Sequence, residues 1–314
     1  MSDATPIDLQ QPQPATQPIL QPSAPPKVQV DAMNAPRYWA EIRSIIETSL
    51  ANAPRELQRE IGPSELGVTC IHCLAAKLAG WPKREPRDKG WTPALGTFMH
   101  EHLQRLFDQR DDKIAGTDTR RWTAELKVPV GQISGLAGGT RVTGSIDLYD
   151  QANMLTVDWK LVGDWSLKRK RAKGMPQQYV IQASLYGIGL RNKGLPVEWS
   201  AIYAMPKTGR NGLADTVVYE TRFDPEPGQW ALQRASTLCT LLDLIETQQG
   251  EAGRDAWIAS LPRDPDECFD CHDNTYQETD LKGDMWTANH PHKLDSYRPF
   301  ATLIQPTYPS SQNQ

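Results

Sequence analysis

A chain of 314 residues that is 39% hydrophobic and carries a formal charge of −4 can bury one sizeable core or two small ones. The slight acidity excludes a protein that coats nucleic acid by bulk positive charge, but leaves room for a local basic cleft. No apolar run approaches the ~20 residues of a membrane span. The start, MSDATPIDLQQPQ, lacks the basic and apolar parts of a secretory signal, so a soluble cytoplasmic protein is expected.

Residues 1–36 hold eight prolines and six glutamines with almost no aliphatic periodicity, a composition that buries too little to offset its ordering entropy. A disordered arm is expected there, with a similar tail at 304–314 and one domain at 37–303 between them. PRYWAEIRSIIETSLANA places Trp39, Ile42, Ile45, Ile46 and Leu50 at helical spacing. GTFMHEHLQRLFDQR predicts a second helix opened by Gly96-Thr97, with Phe98, Met99, Leu103, Leu106 and Phe107 on one side. WTAELKVPV, TRVTGSIDLYD and NMLTVDWKLV have strand character, the last two joined as a hairpin. MPQQYVIQASLYGIGLRNKG is a helix ended by Gly194. VEWSAIYAMP and DTVVYETRFD are strands, and QWALQRASTLCTLLDLIETQQ closes the core as a helix. The order predicts an α/β fold, a mixed central sheet flanked by helices.

Two aspartates stand in apolar strand runs, Asp147 in GSID and Asp158 in TVDWK. A buried carboxylate is costly unless compensated. Strand alternation puts Asp158 and Lys160 on one face, which Asp147 can share across the hairpin. Facing carboxylates repel, and a divalent cation bound by hard oxygen ligands relieves that repulsion. A neighbouring lysine then holds a water or stabilises charge developing on a phosphate. The plainer reading of Asp158-x-Lys160 alone is a salt-bridged lysine on a sheet face. Glu125 adds a carboxylate one strand earlier. His100 and His102 both border the apolar side of their helix, and helical geometry does not choose between them. Gln182 and Tyr186 share a helix face at i, i+4.

The order Gly96-Thr-Phe-Met-His100, Glu125, Gly144-Ser-Ile-Asp147, Asp158-Trp-Lys160, Gln182-Ala-Ser-Leu-Tyr186 resembles the RecB-like branch of the PD-(D/E)XK nucleases, from about Ser64 to Cys271. The resemblance implies a restriction-endonuclease-like core and a metal-dependent deoxyribonuclease, an exonuclease acting on single-stranded or frayed DNA ends. It implies that His100, Asp147 and Asp158 ligate Mg²⁺ or Mn²⁺ with the Trp159 carbonyl, and that Lys160 positions or activates the attacking water. Glu125 is then the further acid, with Gln182 and Tyr186 near the DNA backbone. His100 is preferred to His102 by this likeness alone. A role in recombination, repair or phage DNA processing, in a bacterial cell or phage-infected host, follows from the same likeness.

Cys70-Ile-His-Cys73 and Cys268-Phe-Asp-Cys271 bracket this core, and two such pairs read as one four-cysteine metal site closing the domain's ends together. His72 and His272 are alternative ligands, and Cys239 is a plain core residue. The branch of CRISPR-associated iron–sulfur exonucleases has one cysteine before the core and three after, and Ser64-Glu-Leu66 also resembles it. The two-plus-two division here departs from that pattern. A 4Fe–4S cluster is expected, with Zn²⁺ as the alternative.

The run Lys168, Arg169, Lys170, Arg171, Lys173 follows the Asp158 strand and is expected to neutralise the backbone of DNA entering the cleft. Trp159 and Trp165 are the nearest base-stacking candidates. Two other classes compete: a non-catalytic, zinc-stabilised DNA-binding or scaffold protein on a nuclease-like fold, and a redox protein using a C-x-x-C pair. The second requires a thioredoxin-like order of elements, which is absent.

Overall fold

The computed structural model describes residues 37–52, 61–84, 90–209, 211–273, 275–276, 283–290 and 292–309. The expected arm at 1–36 lies outside them, as do residues 310–314. The chain divides into two compact units, Met1–Ser44 and Ile45–Gln314. Of the first, the described part is the start of helix α1 (Arg37–Asn52), whose Trp39 and Ile42 are exposed.

The second unit is built on one five-stranded sheet in sequential order, β1 (Trp122–Gly135), β2 (Gly138–Asp150), β3 (Leu155–Val162), β4 (Trp199–Pro206) and β5 (Val217–Arg222). Strands β3 and β4 are parallel and every other pairing is antiparallel. The mixed α/β reading therefore holds. Four short and long helices precede or interrupt the strands: α2 (Pro63–Leu66), α3 (Ile71–Leu78), α4 (Trp91–Asp108) and α5 (Asp164–Lys173). They are followed by α6 (Gln177–Asn192), α7 (Glu226–Ala259, broken at Gly250 with φ 74°), α8 (Phe269–His272) and α9 (Gly283–Asn289). No helix among the described residues is long and apolar enough to cross a membrane.

Of three apolar clusters among the described residues, the two larger lie on opposite sides of the sheet. The larger joins β1 and β2 to α3, α6 and α7, with Leu185, Leu190, Leu238, Ile245 and Trp257 fully buried. Helix α6 sits so close to β1 that a Cβ on Gly189 would meet Val128 Cγ2 at 2.4 Å. The smaller core seats Met99, Leu103 and Phe107 of α4 against Leu148, Val157 and Trp159.

Two boundaries move. Helix α4 starts at Trp91 after a left-handed Gly90 (φ 84°), with Pro93 in its first turn, where a missing N–H costs nothing. Gly96 and Thr97 are therefore interior, and Phe98 and Leu106 point away from the core, 52% and 47% exposed. The expected tail boundary at 304 also shifts. Ile304 is buried, Tyr308 donates its backbone N–H to Gln177 Oε1 at 2.7 Å, and its ring packs on Trp230.

Candidate active site

The site forms where the sheet's regularity fails. Cα register puts Leu126 opposite Ile146 and Ala124 opposite Leu148, so Glu125 and Asp147 face each other across β1 and β2. Leu126 and Ile146 belong to the larger core, whereas Ala124 and Leu148 belong to the smaller. The two strands thus exchange faces at the acidic pair. Glu125 achieves this with φ +48°, a left-handed backbone that costs a non-glycine residue of order 1–3 kcal/mol. The ladder between β2 and β3 ends at Leu148–Val157. The next donor, the Trp159 N–H, is satisfied by Asp147 Oδ2 at 2.7 Å instead.

Helix α4 delivers His100 to this gap, with Nδ1 at 3.4 Å from Asp147 Oδ1 and 3.9 Å from Glu125 Oε1. Ser145 holds the other Glu125 oxygen at 2.7 Å. One donor atom each from His100, Glu125 and Asp147 lie within 4.8 Å of one another. Hydrogen bonding to Asp147 and then to Glu125 pushes the His100 pKa up to about 10, and the reciprocal bond from His100 holds Glu125 below the usual carboxylate range. His102 is exposed on the same helix.

Asp158 and Lys160 occupy the neighbouring strand on the α6 side. Asp158 is 1% exposed, and its Oδ1 accepts from Lys160 Nζ at 2.7 Å. Burial pushes Asp158 up to about 6, against the pull of Lys160 and with a further push from the charge of Asp147. For Lys160, burial works against the charge, but Asp158 and Asp147 outweigh it and raise its pKa. The difference lies in the neighbours, because Lys160 faces two carboxylates of opposite charge whereas Asp158 faces one lysine and the like charge of Asp147.

The carboxylates do not all stand equally close to His100. His100, Glu125 and Asp147 form the close group, and Asp158 stands outside it because Lys160 draws its carboxylate into an ion pair. The set still suits a hard divalent cation. Two carboxylates and an imidazole converge, and the buried Asp158 carboxylate beside them has both oxygens 2.7 Å from Lys160 Nζ. The Trp159 backbone reaches the group through the N–H bonded to Asp147.

Gln182 and Tyr186 meet on the buried side of α6. They are 5% and 6% exposed, and Gln182 Nε2 donates to the Tyr186 hydroxyl at 2.7 Å, so both are a buried brace rather than surface contacts for a polymer. A Cβ on Gly144 would meet Tyr186 Cε1 at 2.8 Å, which explains that glycine. Sequence reasoning missed Tyr179, whose ring lies 5.2 Å from Lys160 Nζ and 5.0 Å from Lys170 Nζ. Its signal was present, since 179, 182 and 186 form one i, i+3, i+7 stripe.

The basic run is helix α5, not one exposed patch. Lys168, Arg171 and Lys173 are exposed. Lys170 is only 8% exposed, bonded to Ser166 Oγ at 2.7 Å, and burial lowers its pKa. Arg169 is engaged by Glu267 and by the Asp266 carbonyl, and Arg171 by the Asp215 carbonyl. Trp159 is likewise removed from the base-stacking candidates: it is 8% exposed between Phe107 and Tyr203, whereas Trp165 is 73% exposed.

The four cysteines gather as expected. Cys70, His72 and Cys73 offer ligand atoms within 4.8 Å of one another, and Cys268 and Cys271 stand near enough to shift the thiols of this group electrostatically. Cys239 lies apart, against the larger core. No pair among the five is a disulfide. Bonds from Cys268 and Cys73 pull Cys70 far below the usual thiol range, while its proximity pushes Cys268 up to about 12. One thiolate thus makes the next unfavourable, a repulsion that a bound cation removes. The buried Arg234 guanidinium adds a charge that sequence reasoning missed. It donates to the Val68 carbonyl at 2.8 Å, in the loop leading to Cys70, and the charge of Cys70 partly offsets its desolvation.

No family model and no curated protein matches the chain. Among solved structures it is similar to the crystal structure of SSO0001, with a TM-score of 0.41 and 13% identity over 64% of this chain and 88% of that one. It is also similar to an alkaline exonuclease (LHK-Exo) from Laribacter hongkongensis, with a TM-score of 0.35 and 12% identity over 62% of this chain and 91% of that one. Likenesses this distant leave the site to be read from its own geometry.

Proposed function

We propose that the protein is a divalent-metal-dependent deoxyribonuclease, an exonuclease on single-stranded or frayed DNA ends, serving recombination, repair or phage DNA processing. The observation that carries this reading is the convergence of His100, Glu125 and Asp147 within 4.8 Å, beside the buried Asp158–Lys160 pair. His100, Glu125 and Asp147 hold Mg²⁺ or Mn²⁺, with Asp158 and the Trp159 carbonyl as the remaining candidate ligands. When bound, the cation supplies Lewis-acid polarisation of the phosphate and lowers the pKa of water.

The chain's own residues supply the rest. Water attacks phosphorus in line as the opposite P–O bond breaks. Lys160 stabilises the charge that grows on the phosphate oxygens, and its position is fixed by Asp158 on one side and the Tyr179 ring on the other. The low-dielectric wall made by Gln182 and Tyr186 strengthens that field without touching the substrate. The four cysteines hold a structural 4Fe–4S cluster, with Zn²⁺ as the alternative. Visible absorbance in the iron–sulfur charge-transfer region, against a colourless zinc-containing preparation, separates the two.

The test of the enzyme reading is nucleotide release from end-labelled DNA with Mg²⁺ or Mn²⁺, by wild type, Asp158→Ala and Lys160→Ala. Loss in both variants is expected, measured at a temperature where circular dichroism shows each still folded. Cleavage that persists in both overturns the site.

A further inference from the structure

Next to the candidate active site lies a cavity of about 510 Å³, walled by α5, the start of α6 and the turn around Cys268. Its size falls in the ~300–1,000 Å³ range of small-ligand sites. Two large aromatic rings from separate elements, Trp165 of α5 and Phe269 of α8, border it, each 73% exposed. Leaving two such rings in water is unfavourable unless something covers them. The exposed ammonium of Lys173 stands at the same cavity. Arg169 lies over the Trp165 ring at 5.4 Å and pairs with Glu267, an ion pair that clasps the helix wall to the cysteine turn.

The cavity communicates with the site through one side chain. Tyr179 lines it, and the same ring lies 5.2 Å from Lys160 Nζ. A ligand filling the cavity is thus one aromatic ring away from the proposed phosphate-activating lysine.

We propose that this cleft binds one unpaired nucleotide of a single-stranded nucleic acid, its base stacked on Trp165 and Phe269 and its phosphate held by Lys173. The proposal rests on the nuclease reading for its choice of ligand, and it deepens that reading by assigning the residues that receive an unpaired base and its phosphate. Stacking requires a base free of its duplex partner, and aromatic platforms accept any base because every base has a π-face. The cation beside the rings matches the phosphate that each base brings. The cysteine site acts here as a positioning device, since it fixes the turn that carries Phe269.

The experiment is binding of a fluorescein-labelled oligo(dT) to the full-length protein, in buffer without added divalent cation, so that no cleavage is read. Wild type is compared with Trp165→Ala, Trp165→Phe, Phe269→Ala and Lys173→Ala, and with a duplex of equal length as competitor. Trp165→Ala is expected to weaken single-strand binding about tenfold or more, Trp165→Phe to restore most of it, and Lys173→Ala to flatten the salt dependence. Duplex competes poorly. Because Phe269 lies between two cysteines, bound metal is measured in its variant, and Trp165 on α5 gives the reading independent of that site. Single-strand affinity unchanged in both aromatic variants, or absent in wild type, overturns the proposal. Failure of the nuclease reading shows separately, as intact oligo(dT) binding with no metal-dependent cleavage.

Discussion

Glu125 shows why the site costs stability at the level of one residue. Its carboxylate joins the group only because its backbone takes φ +48°, a conformation glycine adopts freely. Glu125→Ala loses the carboxylate and keeps the strain, whereas Glu125→Gly loses both. The glycine variant is expected to be the more stable of the two by about 1 kcal/mol, read by urea denaturation. Both should bind Mn²⁺ more weakly than wild type. His100 carries a pH signature. Its folded-state pKa, about 10, stands above the ordinary 6.5. In the metal-free protein its charge therefore contributes stability that is fully present below about pH 6.5 and is lost as pH rises through 10. A cation that takes Nδ1 must displace that proton, so metal affinity should rise with pH between 7 and about 9. Calorimetry in buffers of different ionisation enthalpy should detect about one proton released per Mn²⁺ bound, and His100→Gln should abolish it. A release independent of His100 excludes it as a ligand.

At the scale of elements, the Asp158–Lys160 pair lies within β3, meets α6 through the Tyr179 ring at 5.2 Å from Lys160 Nζ, and can be tested apart from catalysis. Removing one member of a buried ion pair strands the other charge, at a cost of about 3–5 kcal/mol, while replacing both with apolar groups is often near neutral. Lys160→Met alone should therefore be strongly destabilised, and Asp158→Leu/Lys160→Met should recover most of the loss in chemical denaturation. If single and double variants are equally unstable, the pair contributes through packing and not through charge. The sequence made much of this readable. Period-2 alternation placed Asp158 and Lys160 on one face, and helical spacing found α6 and α7. It could not choose His100 over His102, because the choice is made by Asp147 from another element. Strand alternation also carries no trace of the left-handed turn at Glu125 that brings its carboxylate beside Asp147 and His100. The sequence left α5 unread as a helix because only Leu167 and Lys170 of that segment are buried, so no apolar stripe appears.

For the whole molecule, the decisive feature is how distant segments close. Thr69 Oγ1 donates to Asp264 across 195 residues, Trp81 Nε1 to Asp255 at 3.0 Å, and Arg84 N–H to the Thr275 carbonyl at 2.8 Å. These bonds bring the two C-x-x-C turns together, but each is worth only about 0.5–1.5 kcal/mol. The thiols work against them, since the clustered sulfurs favour a single thiolate at Cys70 and oppose the next. A bound metal reverses the sign of that interaction, turning the crowding into a cross-link that closes a loop of nearly the entire folded chain. The His100, Glu125 and Asp147 group, by contrast, is built on α4, β1 and β2 and includes no residue of the cysteine turns. Cys268→Ser should therefore lose the structural metal, lower the unfolding midpoint substantially and make the segment after Leu261 the first cut by protease. Below that midpoint, Mn²⁺ should still titrate the His100 group with unchanged affinity. If Mn²⁺ binding is lost together with the cysteine metal while circular dichroism is intact, the two centres are coupled and the cysteine site is more than a clasp.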